Sequence, residues 1–66
     1  MTARTLYRVM LVEDNPADAR LVREALAEHP RFSFQVVHYP YLEQALRFLE
    51  RDSVDVVLLD YHLPDV

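Results

Sequence analysis

Val9-Met10-Leu11-Val12-Glu13-Asp14-Asn15-Pro16-Ala17-Asp18 holds the end of a strand, a turn and the start of a helix. Val9–Val12 is apolar at both parities, the pattern of a parallel strand buried on two faces, and Tyr7–Val12 is read as the first strand. Two acids close it. Asn15 suits a helix N-cap, and Pro16 suits the first helical position, where its missing N–H costs nothing. Asp18 in the first turn complements the helix dipole. Ala17, Leu21, Val22, Ala25 and Leu26 recur at i, i+4, i+5, i+8 and i+9 and predict one apolar helix face. Arg20, Arg23, Glu24 and Glu28 fill the other side. His29-Pro30 ends the helix, because proline disfavours the α conformation in the residue before it.

The same alternation repeats downstream. Phe32–Tyr39 reads as a second strand of edge type. Pro40 punctuates, and Tyr41–Arg51 reads as a second amphipathic helix with Leu42, Ala45, Leu46 and Leu49 on its apolar stripe, widened by Phe48. Val54–Leu59 is the third strand and runs into Asp60-Tyr61-His62-Leu63-Pro64-Asp65. The order β-α-β-α-β predicts an α/β fold with a parallel sheet. Crossovers are right-handed in nearly all such units, and a 2-1-3 strand order then places the two helices on opposite faces. In that order the third strand is an outer one. Yet it is apolar at both parities, and its edge carries only Asp55 as a charge. Self-association through this third strand is therefore expected.

Composition excludes several function classes. The chain has 66 residues, with 7 Lys+Arg against 11 Asp+Glu, a formal net charge of −4. It contains no cysteine, so disulfides, thiolate metal sites and cysteine nucleophiles are excluded. All the basic residues are Arg, which leaves no lysine chemistry. The acidic balance argues against nucleic-acid binding. No apolar run approaches the roughly 20 residues of a membrane helix, and residues 1–8 have no signal-peptide core, so a cytoplasmic location is expected. A chain this short buries only about 60% of its unfolded surface and is marginal as a complete domain.

In a doubly wound sheet the ligand crevice lies outside the C-terminal strand ends where strand order reverses. Glu13 and Asp14 close the first strand and Asp60 closes the third, its neighbour. Three carboxylates thus converge. Two like charges ~5 Å apart repel by about 3 kcal/mol at an effective dielectric of 20. A bound cation or a raised pKa relieves such crowding. An all-oxygen set with open positions suits Mg²⁺, and a carboxylate beside that ion can act as a nucleophile toward phosphorus.

The acidic pair Glu13-Asp14 in its strand-to-helix setting, with Val-Val-Leu-Leu-Asp60-Tyr61-His62-Leu63-Pro64-Asp65 after it in βαβαβ order, resembles the response-regulator receiver (CheY-like) domain of two-component signalling. The resemblance implies that Asp60 is the phosphoacceptor, supplied by a histidine kinase or phosphotransfer protein. It implies that Glu13, Asp14 and Asp60 bind Mg²⁺, with Asp14 the more direct ligand of the pair, and that the backbone carbonyl of His62 is a further ligand. Receivers continue with a fourth strand ending in Ser/Thr and a fifth ending in Lys, which contact and sense the phosphoryl group. Neither is present. Residues 1–6 are thus read as a tail, and residues 7–66 as the N-terminal portion of a receiver, a truncated half of a flavodoxin-like doubly wound fold. Such a half is expected to be defective in switching.

Other readings attach to the same residues. A receiver-like module that is never phosphorylated would serve only for docking or dimerisation. A phosphate-transferring enzyme with an aspartyl nucleophile usually carries a second Asp two residues on, where His62 stands here. His29 is read as a helix-end residue, His38 as a strand residue near the edge, and His62 as solvent-facing beside the site. Tyr61 is read as lining the pocket and Asp65 as a plain turn acid.

Overall fold

The computed structural model describes residues 5–65. Along them run β1 (Thr5–Val12), α1 (Pro16–Ala27), β2 (Phe32–Tyr39), α2 (Leu42–Leu49) and β3 (Val56–Leu59). The three strands form one parallel sheet in the order β2-β1-β3, as the alternation predicts. β1 pairs with β2 from Thr5↔Phe32 to Val12↔Tyr39, and with β3 from Val9↔Val56 to Val12↔Leu59. β1 begins two residues before the expected Tyr7. Residues 1–4 of the expected tail lie outside the described residues.

The central strand buries Val9, Met10, Leu11 and Val12 together, which explains its two-faced apolar run. Met10 and Val12 point to one face, where they pack with Ala45 and Leu63, and with Val37, Tyr39, Leu42, Phe48 and Val54 around them. The other face carries Phe32 and Phe34, gathered with Tyr7 and with the His29 ring beyond the end of α1. The His29 Nδ1 accepts from the N–H groups of Arg31 (3.1 Å) and Phe32 (3.2 Å), so this histidine shapes the α1–β2 turn. Alternating side chains of one strand thus feed two helices on opposite faces.

α1 starts as its sequence predicts. Asn15 is extended and its Oδ1 accepts from Ala17 N (2.9 Å) and Asp18 N (3.2 Å), with Pro16 following. Such a cap contributes about 1 kcal/mol. The buried stripe differs from the expected one. Ala19 is buried and Val22 and Leu26 are half-buried, whereas Leu21 is 63% exposed and Ala17 and Ala25 are exposed. α1 is rotated so that i, i+3 and i+7 meet the sheet. Its apolar surface is wider than the strip a three-stranded sheet can cover.

α2 is shorter than Tyr41–Arg51. Tyr41 is its extended N-cap residue and Glu50 its C-cap. Ala45 is buried, Leu42 and Phe48 are half-buried, and Leu46 and Leu49 are exposed.

β3 begins at Val56 rather than Val54. Val54 packs against the core, and Asp55 closes a local ring with Arg8: Asp55 N donates to Arg8 O (2.9 Å) and Arg8 N donates to the Asp55 Oδ2 (2.8 Å). The Asp55 side chain thus takes the N–H that a longer ladder would use. Arg8 also reaches Asp52 (2.8 Å) and Ser53 O (3.0 Å) and lies 5.5 Å from the centre of the Phe48 ring. The Arg8 guanidinium and the Ser53 N–H, which donates to the Asp52 Oδ1 (2.8 Å), hold Asp52 below its ordinary pKa. All four residues of β3 are exposed, from 36% at Leu58 to 53% at Leu59. Among the described residues the strand pairs only with β1, and both its faces are partly exposed despite its central-strand composition. No helix among the described residues is long and apolar enough to cross a membrane.

Candidate metal centre

Strand register alone places the acids. Val12 pairs with Leu59, so the next residues, Glu13 and Asp60, stand side by side beyond the C-terminal ends of β1 and β3. Two backbone bonds extend the ladders to that point: Asp60 N donates to Val12 O and Glu13 N to Tyr39 O, each at 3.1 Å. Asp14 follows on the turn into α1. Carboxylate oxygens of Glu13, Asp14 and Asp60 all lie within 4.8 Å of one another. The three residues expected to form the site are brought together.

Local hydrogen bonds aim two of these side chains. The Glu13 Oε1 accepts from Asn15 N (3.1 Å), which ties it to the residue that caps α1. The Asp60 Oδ1 accepts from His62 N (3.2 Å), an Asx turn that folds the following loop back on the acceptor. The Asp60 carboxylate also stands against the Glu13 carboxyl, with which it is in hydrogen-bonding contact. The Asn15 N–H pulls the Glu13 pKa down. Desolvation and the charge and contact of Asp60 outweigh it, and the net position is above the ordinary 4.5. Crowded carboxylates have this signature.

The donor set fits a hard divalent cation. Every side-chain ligand is oxygen, and Glu13 and Asp60 are only half-buried while Asp14 is exposed, so water can complete the shell. Mg²⁺ is held in this way, by few carboxylates and several waters at about 2.1 Å. Oxygens on opposite sides of such an ion stand ~4.2 Å apart. Small side-chain rotations therefore bring a 4.8 Å cluster onto it.

Two residues make contacts that sequence patterns did not assign to them. His38, half-buried on β2, places its Nε2 2.8 Å from the Glu13 carbonyl oxygen. A carbonyl only accepts, so Nε2 carries the hydrogen. The imidazole thus bridges the sheet edge to the acidic turn. Strand alternation puts His38 on the α1 face but says nothing about its reach. Asp65 is not a plain turn acid: its two oxygens accept from Leu42 N and Glu43 N, each at 3.0 Å, and so cap α2. A signal existed for it, since Tyr41 has no side chain able to cap the helix it precedes. Tyr61 is 93% exposed and lines nothing. The His62 side chain faces solvent as expected.

The chain is 33% identical over 70 aligned residues to the two-component response regulator ORR1 of Oryza sativa subsp. japonica, and equally to that of Oryza sativa subsp. indica. The alignment takes in 96% of this chain, which spans about 30% of the length of these curated relatives. No family model matches the chain, and no solved structure matches it. Topology and similarity agree: the chain is a parallel βαβαβ unit in 2-1-3 order and is distantly similar to the two-component response regulator ORR1.

Proposed function

We propose that this chain is the phosphoacceptor portion of a receiver, taking a phosphoryl group onto Asp60 from a histidine kinase or phosphotransfer protein, in the cytoplasm. The observation that carries this reading is the convergence of Glu13, Asp14 and Asp60 beyond adjacent strand ends. The similarity to a two-component response regulator supports a phosphoacceptor role for such a cluster. Glu13, Asp14, Asp60 and the His62 backbone carbonyl would hold Mg²⁺, with Asp14 the more direct ligand of the acidic pair. When bound, the ion offsets the charge of the phosphoryl oxygens.

The Asp60 Oδ2 attacks the donor's phosphorus while Oδ1 stays on the His62 N–H. The bond from phosphorus to the donor imidazole nitrogen breaks, and that nitrogen keeps the electron pair and takes up a proton. The product is an acyl phosphate on Asp60. Its added charge and acceptor oxygens then bias a conformational or assembly equilibrium. The chain contains no lysine, so a lysine contact to the phosphoryl group is not made by these residues, and their switching response alone is expected to be weak.

Incubation with Mg²⁺ and a small acyl-phosphate donor should raise the intact mass by one phosphoryl group. Asp60→Asn should abolish the adduct, and chelation of Mg²⁺ should suppress it. Equal labelling of the Asp60→Asn chain would sink the assignment of the acceptor. No labelling, with no Mg²⁺ binding, would favour a docking or dimerisation module of receiver type.

The bare third strand supports self-association as part of this reading. All four residues of β3 are exposed, and among the described residues the strand pairs only with β1. Antiparallel pairing of two copies of β3 about a twofold axis sets Val57 against Leu58 and Asp55 against Asp60. The apolar pairs attract and the acidic pairs repel. Sedimentation equilibrium should therefore show a dimer that tightens as salt screens the acids. A monomer at all salt concentrations would remove β3 as an interface between copies.

A further inference from the structure

We propose that Asp65 is a positioning residue for the acidic site: by capping α2 it locks the loop that carries Asp60 and the His62 carbonyl. The proposal rests on the metal-binding reading above and assigns a role to a residue that would not touch the ion.

The segment from Asp60 to Asp65 is pinned at both ends and in the middle. At its start, Asp60 N is bonded to Val12 O (3.1 Å), and the Asp60 Oδ1 holds His62 N (3.2 Å). In the middle, Leu63 is buried in the same core cluster as Met10, Val12 and Ala45. At its end, the Asp65 Oδ1 and Oδ2 take Leu42 N and Glu43 N at 3.0 Å each. Those N–H groups belong to the first turn of a helix and have no partner within it. Tyr41, at the N-cap, offers no side-chain bond. The helix thus depends on an acid 22 and 23 residues away, and the loop depends on the helix.

The charge is placed to the same end. A carboxylate at a helix N-terminus sits against partial positive charge. The Glu43 and Leu42 N–H groups hold the Asp65 carboxyl below its ordinary 3.8. Asp65 is therefore satisfied by α2. Without it, the segment after His62 keeps the Leu63 anchor but loses its tie to α2.

The test is a Mg²⁺ titration of the full 66-residue chain and its Asp65→Ala and Asp65→Asn variants, with amide exchange measured at His62. Asp65→Ala should weaken Mg²⁺ binding about ten-fold, the low end of what groups orienting metal ligands contribute. Asp65→Asn, which keeps one acceptor oxygen, should recover part of that loss. His62 exchange should be faster in Asp65→Ala than in Asp65→Asn. Unchanged Mg²⁺ affinity in a folded Asp65→Ala chain that merely melts earlier would overturn the proposal and leave Asp65 as a helix cap only. If circular dichroism shows Asp65→Ala unfolded, the Asp65→Asn affinity decides, and equality with the parent overturns the proposal. If the parent itself binds no Mg²⁺, the metal reading fails. The His62 exchange rates then decide separately, with equal rates in parent and Asp65→Ala overturning the loop-locking role.

Discussion

Met10→Ala should leave the chain largely unfolded at 25 °C, while Leu21→Ala should shift its melting curve hardly at all. Met10 is fully buried on the central strand, packed against α2 and Leu63. Truncating a buried Met costs about 2–5 kcal/mol, because the transfer energy is lost and a cavity remains. A core of this size rarely supplies more than about 3–5 kcal/mol in total. The substitution therefore removes most or all of the margin. Leu21 is 63% exposed, and surface changes of that kind stay within about 0.5 kcal/mol. Urea unfolding followed by circular dichroism compares the two directly. Equal losses would mean that the apolar face drawn from periodicity is the buried one after all, and that α1 sits in a different rotation. The contrast is sharp because sequence periodicity places Leu21 on the buried face, while the packed structure leaves it outside.

Mg²⁺ should raise the melting temperature of the chain by ten degrees or more, and Asp60→Asn should abolish that gain while raising the melting temperature without the ion. The acids at the strand ends repel one another, by between about 1 and 3 kcal/mol per pair over the range from water-like to near-surface screening. Neutralising Asp60 relieves at least one such pair. The replacement amide keeps an oxygen for the His62 N–H. A gain of about 1 kcal/mol corresponds to roughly 4–8 °C in a chain of this length. The ion acts by linkage: at one hundred times its dissociation constant it adds about 2.7 kcal/mol. Differential scanning calorimetry with EDTA and with Mg²⁺ reads both effects. Identical Mg²⁺ responses in parent and Asp60→Asn would place the ion elsewhere.

The pH dependence carries the same signature with opposite signs at different acids. Glu13 has a folded pKa above its ordinary 4.5, so its contribution to stability is full below 4.5 and is lost as pH rises through the folded value. Asp52 and Asp65 are held below their ordinary 3.8. Their contributions are full above 3.8 and are lost as pH falls through their folded values. In EDTA the stability should therefore decline on both sides of the weakly acidic range. Mg²⁺ should flatten the rising-pH limb and leave the acid limb in place.

Element order and strand pairing were legible because each rests on a local pattern. The Asn15-Pro16 helix start, the Pro30 stop and the exact parity of Val9–Val12 act over a few residues, and the structure reproduces them. The convergence of Glu13, Asp14 and Asp60 was legible too, because parallel register turns strand ends into neighbours. Helix rotation was not. Leu21, Leu46 and Leu49 look as apolar as Val22, Leu42 and Ala45, and only the width of the sheet beneath decides which of them are covered. The exposure of β3 was legible too, since the 2-1-3 order makes it an outer strand.

What the amino-acid sequence determined by itself is the βαβαβ order, the 2-1-3 sheet and the three acids at one sheet edge, since these follow from alternation, capping and strand parity. What only the tertiary structure decided is the support of that edge. The His38 Nε2 on the Glu13 carbonyl and the Asp65 carboxylate on the first turn of α2 span 25 and 22–23 residues. Bonds of that range leave no periodic trace, because they depend on where packed elements come to rest rather than on what neighbouring residues prefer.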